Sequence, residues 1–202
     1  MSKSIEFVFD FASPNAYLSY FTVKAVAART GAELKIIPCL LGGIFKSTNN
    51  QPPMMNFAGV SGKNAMFMRE IERYCERHDL TQFAMNPHFP VNTLLLMRAC
   101  VAYGKDHSLD AYVEAGVKMM WESGLKMDDP DVFVKAFNDA GFDGQALLES
   151  TQDPNVKAEL MANTQSAVDR GVFGIPAFFV GEEQFFGKDH IEEMEWWLQN
   201  RA

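Results

Sequence analysis

Paired cysteines are the first thing that this sequence lacks. Cys39, Cys75 and Cys100 are its three cysteines, and they lie too far apart to form a CxxC motif or the usual spacing of metal ligands. A free cysteine is among the most frequently buried residues, so we expect three reduced, buried thiols. The sequence therefore carries no disulfide-exchange motif and predicts no metal site.

Clustered positive charge and long apolar runs are missing as well. The 202 residues carry a net charge of -8, and no run of Lys or Arg exceeds two residues. Nucleic-acid backbones and anionic membranes are bound by clustered cations, so neither is an expected partner. The sequence also lacks the ~18 consecutive apolar residues of a membrane span and the apolar segment of a secretion signal. We expect a cytoplasmic protein.

The N-terminal part of the chain has the pattern of a βαβ unit. Residues 5–9 and 34–37 have the apolar composition of two strands, and Pro38 closes the second. Between them, apolar residues recur at helical spacing from Leu18 until Gly31, a residue type that commonly ends a helix. This order predicts a right-handed crossover between two parallel strands.

The middle of the chain is predicted to be helical. Residues 40–62 are rich in Gly, Asn and Pro and indicate a long loop. Apolar periodicity then predicts five helices, at residues 63–78, 92–103, 109–122, 130–138 and 154–170. Two of them begin with an acidic N-cap followed by proline, at Asp129-Pro130 and Asp153-Pro154. No strand pattern interrupts this part of the sequence.

The strand pattern returns near the C-terminus. Ala177–Val180 and residues 184–186 predict a hairpin around a Gly-Glu-Glu turn, and an amphipathic helix follows. The order βαβ, helices, ββα is typical of a thioredoxin topology with an insertion in its middle. We therefore predict an α/β fold in which a thioredoxin-like domain, residues 1–40 and 171–202, is interrupted by an all-helical domain, residues 41–170.

Ser13-Pro14 lies where the first strand meets the first helix. Serine is a preferred N-cap and proline is favoured at the first helical position, so a cap alone explains the pair. A helix N-terminus also favours an anion such as a thiolate, to which the Ser13 hydroxyl can donate a hydrogen bond. We do not expect Ser13 to be a nucleophile, because no histidine lies near it in the sequence and the G-x-S-x-G motif of hydrolases is absent.

Two sites near the C-terminus also have both an ordinary and a functional interpretation. A trans proline is tolerated at the start of a strand, whereas a cis Ile175-Pro176 bond would leave the Ile175 backbone able to pair with a bound peptide. At this position of a thioredoxin-like fold we expect the cis form. Asp189 and Glu192 fit a capping box, yet an acidic side chain at a helix start can also bind an ammonium group.

Other polar residues are less clearly defined by the sequence. Asn50 and Lys63 bracket the proline-rich loop and are either solvated residues or ligand contacts. Asp10 ends the first strand, and its role stays open. The 17 Phe and 12 Met residues indicate core and pocket lining, and an apolar pocket is what an aromatic substrate requires.

Five segments together resemble the family of 2-hydroxychromene-2-carboxylate isomerases and kappa-class glutathione transferases. They are FDFASPNAYL at 9–18, LGGIFK at 41–46, NQPP at 50–53, FGIP at 173–176 and FGKD at 186–189. The resemblance runs in order over nearly the whole chain. It implies a thioredoxin-like domain with a DsbA-like helical insertion, a homodimer, and glutathione bound between the two parts.

The resemblance also implies roles for individual residues. It places Ser13 beside the glutathione sulfur, Asn50 and Lys63 against the tripeptide, Ile175 and Pro176 at its backbone, and Asp189 at its γ-glutamyl end. Kappa-class enzymes usually have Ser-Asp-Arg where this chain has Lys188-Asp189-His190. The γ-glutamyl contacts are therefore expected to be rearranged.

The activity that the resemblance implies is glutathione-dependent cis-trans isomerisation. It interconverts 2-hydroxychromene-2-carboxylate and trans-o-hydroxybenzylidenepyruvate in naphthalene-type aromatic catabolism, by reversible addition of the glutathione thiolate. Asn15-Ala16-Tyr17 is closer to the bacterial isomerases than to the Tyr-Ser-Trp of kappa-class enzymes and favours this activity. Two alternatives stay open: a kappa-like transferase that conjugates electrophiles, and a non-catalytic thioredoxin-like protein that binds extended peptides.

Overall fold

The computed structural model of the chain describes residues 3–201, and its sheet joins the two ends of the sequence. The four strands are β1 (Ser4–Phe9), β2 (Glu33–Pro38), β3 (Ala177–Val180) and β4 (Glu183–Phe186), in the order β2-β1-β3-β4. Strands β1 and β2 are parallel, whereas β3 is antiparallel to both β1 and β4. The predicted thioredoxin-like α/β fold is confirmed.

Ten helices complete the described part of the chain. They are α1 (Pro14–Thr30), α2 (Leu41–Thr48), α3 (Pro53–Asn56), α4 (Lys63–Arg77), α5 (Leu94–Gly104), α6 (Asp110–Trp121), α7 (Pro130–Asp139), α8 (Gly144–Ser150), α9 (Pro154–Asp169) and α10 (Ile191–Asn200). The five helices predicted between β2 and β3 are all present, with ends that differ by at most two residues. Asp129 and Asp153 cap α7 and α9 as expected, since each side chain accepts hydrogen bonds from the first turn. None of the helices in residues 3–201 is long and apolar enough to cross a membrane.

The prediction of a loop over residues 40–62 is wrong in part, because α2 and α3 lie there. Glycine lowers helix propensity, and Gly42-Gly43 hides the helical pattern of α2. Helix α2 packs tightly against α9 at Gly43, where an added Cβ atom would lie 3.0 Å from Thr164 Cγ2. Glycine thus permits a close approach of α2 to α9. The short helix α8 was also not predicted.

The sheet and the helices share a continuous hydrophobic core. Phe9 and Phe11 continue from β1 into it, with ring centroids 4.8 Å apart. The indole N–H of Trp121, at the end of α6, donates a hydrogen bond of 3.0 Å to the Phe11 carbonyl. Phe11 therefore connects the β1–α1 turn to the helical layer. The division into domains at residues 40/41 and 170/171 stays a prediction, and its outermost residues, 1, 2 and 202, lie outside the described residues.

The three cysteines are free but not equally buried. Cys39 and Cys100 are fully buried, as predicted, whereas the prediction is wrong for Cys75, which is only partly buried on α4. Burial raises the pKa of the Cys39 thiol to about 12. This thiol is therefore protonated and unreactive at neutral pH.

Candidate functional site

A cavity of about 810 Å³ opens where the start of α1, the start of β3 and the helical layer meet. Five of the residues singled out in the sequence line it: Ser13, Asn50, Ile175, Pro176 and Asp189. They come from segments that are far apart in the chain. The fold brings these five side chains to one cavity.

Ser13 caps helix α1 and also contacts the loop before β3. Its Oγ accepts a hydrogen bond of 3.3 Å from Ala16 N, so the cap expected from Ser13-Pro14 is formed. The same hydroxyl donates a hydrogen bond of 2.9 Å to the carbonyl oxygen of Ile175. Ser13 is only 4% exposed. Its hydroxyl thus lies at a helix N-terminus, beside the residue that precedes Pro176.

The Ile175-Pro176 peptide bond is cis, which confirms the expectation for this position. The Pro176 carbonyl accepts a hydrogen bond of 2.9 Å from Gly187 N and joins the loop before β3 to the turn after β4. The Ile175 carbonyl is occupied by Ser13. Within residues 3–201, the Ile175 N–H makes no hydrogen bond. One backbone donor of Ile175 is therefore available to a ligand.

Asp189 lies in a short 3-10 turn, Lys188–His190, between β4 and α10. Its carboxylate does not cap α10, since the N-cap residue is His190 and no side chain caps the helix. The capping box with Glu192 is therefore not formed. Instead, Asp189 Oδ1 accepts a hydrogen bond of 2.5 Å from the Lys188 ammonium group. The carboxylate remains 67% exposed at the edge of the cavity.

Asn50 holds two loops together. Its Nδ2 donates a hydrogen bond of 2.9 Å to the Phe173 carbonyl, and its Oδ1 accepts bonds from Gln51 N and Asn56 Nδ2. The half-buried amide thus joins the segment between α2 and α3 to the segment that leads to Ile175. Asn50 supports the wall of the cavity as well as lining it.

Lys63 is not brought to the cavity. It is the first residue of α4, its side chain is exposed, and its ammonium group lies 5.3 Å from the centroid of the Phe57 ring. The cavity lining does not include it. The segment from α3 to α4 turns this lysine onto the outer surface, so a contact with a tripeptide in the cavity would require the side chain to move.

Asp10 is a polar residue whose role the sequence left open. It is 1% exposed, lines the cavity and accepts three hydrogen bonds: 2.6 Å from Thr93 Oγ1, 3.0 Å from Ala12 N and 2.7 Å from Leu41 N. Burial raises the pKa of this carboxyl from 3.8 to about 6, against the opposing effect of the three donors. One buried carboxylate thus connects the β1–α1 turn, the start of α2 and the start of α5.

Apolar side chains face the polar groups across the cavity. The wall includes six phenylalanines: Phe45, Phe57, Phe67, Phe89 and the pair Phe173 and Phe186. The rings of that pair have centroids 4.4 Å apart, and both are partly exposed. The sequence predicted that phenylalanines would line a pocket but not which ones, because these residues come from separate loops and helices.

The described part of the chain has no group of three or more His, Cys, Asp or Glu side chains that could hold a metal ion. The polar groups of the cavity are instead single side chains and backbone N–H groups that suit an organic ligand.

Residues 4–199 match the family model of the DSBA-like thioredoxin domain, and the chain belongs to this family. It is similar to the 2-hydroxychromene-2-carboxylate isomerase of Sphingobium xenophagum, with 28% identity over 98% of this chain and 99% of that protein. It is also 24% identical to glutathione S-transferase kappa 1 of Homo sapiens, over 95% of this chain and 89% of that protein. The resemblance inferred from the five sequence segments is confirmed.

Solved structures agree with this assignment at the level of the fold. A structure of 2-hydroxychromene-2-carboxylate isomerase superimposes with a TM-score of 0.82, covering 96% of this chain and 94% of that chain at 21% identity. A probable DsbA oxidoreductase of Streptomyces coelicolor superimposes with a TM-score of 0.72 at 15% identity, covering 99% of this chain and 91% of that one. At these identities the likeness concerns the fold alone.

Proposed function

We propose that this protein is a glutathione-dependent cis-trans isomerase that interconverts 2-hydroxychromene-2-carboxylate and trans-o-hydroxybenzylidenepyruvate in aromatic catabolism. The observation that carries the proposal is the cavity, where Ser13, the Ile175 backbone and Asp189 face an aromatic wall. Relatives named as this isomerase and as kappa-class glutathione transferases support it.

The polar residues of the cavity fit a γ-glutamyl tripeptide. The exposed Asp189 carboxylate can accept hydrogen bonds from the ammonium group of the γ-glutamyl end. The Ile175 N–H can pair with the peptide backbone as an added strand would. Asn50 stabilises the wall beside this backbone through its bond to Phe173. These groups would hold glutathione, with its sulfur near the start of α1.

Ser13 is the residue that we propose acts on the sulfur. In this structure its hydroxyl donates a hydrogen bond of 2.9 Å to the Ile175 carbonyl oxygen. Rotation of the hydroxyl transfers this hydrogen bond to a neighbouring anion, and the N-terminal end of the α1 dipole favours the same negative charge. Both effects stabilise a thiolate over a thiol. Ser13 would thus increase the fraction of glutathione that is in the thiolate form, without forming a covalent bond itself.

Glutathione, when bound, supplies a thiolate that adds reversibly to the conjugated system of the chromene. The aromatic wall would bind the planar substrate and exclude water from the sulfur. The chain has no CxxC motif. Disulfide exchange between glutathione and such a motif therefore does not compete with this reaction.

The assay that tests the proposal follows the chromene and the free thiol together. An isomerase converts the chromene only when glutathione is present and leaves the thiol concentration constant. A kappa-like transferase, which the relatives named as such also support, consumes one thiol per product. Conversion at the same rate without glutathione would refute both.

A non-catalytic protein that binds extended peptides beside Pro176 is the alternative from another class. It predicts no particular affinity for glutathione. From the resemblance we also propose that the protein is a cytoplasmic homodimer, and sedimentation equilibrium at micromolar concentration tests the oligomeric state.

A further inference from the structure

Lys188 is a buried cation next to the proposed ligand carboxylate. Its side chain is only 5% exposed, whereas that of Asp189 is 67% exposed. Its Nζ lies 2.5 Å from Asp189 Oδ1 and 5.0 Å from the centroid of the Tyr74 ring on α4. Buried lysines are rare unless they are paired. The partner of this buried ammonium group is Asp189, a residue at the edge of the cavity.

This arrangement fixes one of the two oxygens of the Asp189 carboxylate and, among the described residues, leaves the other free. Oδ1 is held by Lys188, and within residues 3–201 Oδ2 makes no hydrogen bond. The same ammonium group is also held from α4, because Nζ lies over the ring of Tyr74, whose hydroxyl donates a hydrogen bond of 2.9 Å to Thr22 on α1. An exposed carboxylate in a short turn would otherwise lose side-chain entropy when it binds a ligand.

We propose that Lys188 is a positioning residue, which fixes Asp189 through Oδ1 so that Oδ2 accepts the ammonium group of the γ-glutamyl end. The inference rests on the proposed function. It concerns Lys188-Asp189-His190, which this chain has in place of the Ser-Asp-Arg sequence of kappa-class enzymes. Lys188 also lines the cavity, but its buried ammonium group is already paired with Asp189 Oδ1, so we propose that it acts through Asp189.

Lys188→Met is the first test, since it keeps most of the length of the side chain and removes the charge. The released Asp189 carboxylate stays in water, so we expect the variant to fold. We expect its dissociation constant for glutathione, measured by calorimetry, to rise about threefold to tenfold as the preorganisation is lost. Lys188→Arg, which keeps a charged donor, should lose less affinity. Lys126→Met, which removes a surface charge paired with Asp128, is the matched control and should bind as the wild type does.

Two comparisons separate positioning from a general structural role. The wild type should prefer glutathione to glutaryl-cysteinylglycine, which lacks only the ammonium group, and Lys188→Met should lose most of that preference. In an Asp189→Asn background, Lys188→Met should weaken glutathione binding no further. Unchanged or tighter glutathione binding by Lys188→Met, or fully additive losses in the double variant, would overturn the inference.

A measurement without ligand distinguishes failure of this inference from failure of the proposed function. Three-bond couplings of Asp189 should show one side-chain rotamer in the wild type and averaging in Lys188→Met. Averaging in both proteins overturns the positioning role. A wild type that does not bind glutathione overturns the proposed function together with the assigned ligand, even where the couplings show that Lys188 orders the carboxylate.

Discussion

Replacing Asp10 by asparagine should remove a pH dependence from the stability of this protein. The carboxyl titrates near pH 3.8 in an unfolded chain and at about 6 when buried at the cavity. Between these values the folded state keeps a proton that the unfolded state has released. The free energy of unfolding therefore falls as the pH rises through this window. A difference of about 2 in pKa corresponds to about 3 kcal/mol, with the folded protein more stable on the acidic side.

Urea denaturation at pH 4, 5, 6 and 7 measures this effect. The stability of the wild type minus that of Asp10→Asn should decrease by about 2.5 kcal/mol from pH 4 to pH 7, because only the wild type has the titrating group. The amide cannot accept all three donors of the site, so the variant also loses a constant amount at every pH. Only the slope with pH is diagnostic.

A surface variant provides the control for this slope. Asp139→Asn removes a carboxylate that is 65% exposed and paired with Lys135, and its difference from the wild type should change by less than about 1 kcal/mol. The result would refute this account if the stability difference between wild type and Asp10→Asn stayed constant or grew with pH. Burial would then not raise the pKa of the Asp10 carboxyl.

Three further predictions concern the same region. Thr93→Val removes the 2.6 Å bond that favours the Asp10 anion, so it should raise the Asp10 pKa further and move the loss of stability to higher pH in the same urea series. Gly116→Ala would place a Cβ atom 2.4 Å from Cε1 of the buried Phe11 ring, and urea denaturation at pH 7 should show a loss of about 1 to 3 kcal/mol despite the better helix propensity of alanine. Ser13→Ala removes a hydrogen bond to the proposed thiolate and should lower kcat/KM in the chromene assay about tenfold to a hundredfold; full activity would contradict the role of the hydroxyl.

The strands and most helices could be predicted because their signals are local. The apolar run of β1 and the Asp-Pro starts of α7 and α9 lie within a few residues of the elements that they define. Helix α2 could not be predicted in this way, since its two glycines lower its helix propensity. The close approach that Gly43 permits is to α9, more than a hundred residues later in the chain.

The same distinction applies to the candidate site. The positions of Ser13 and Ile175 follow from the order of the elements, and the structure brings them within 2.9 Å. The bond between Asp10 and Thr93 links residues that are 83 positions apart, and no sequence pattern reports it. The surface position of Lys63 depends on the path of the chain between α3 and α4, which composition alone does not determine.

The central claim is that the cavity holds glutathione by its γ-glutamyl end, and a thermal shift experiment tests it most directly. The wild type is heated with millimolar glutathione and, separately, with the same concentration of cysteinylglycine, which keeps the thiol and lacks the γ-glutamyl group. Glutathione at ten times its Kd stabilises the native state by about 1.4 kcal/mol. We predict a higher Tm with glutathione and little change with cysteinylglycine. An unchanged Tm with glutathione, or an equal rise with both thiols, would contradict the account.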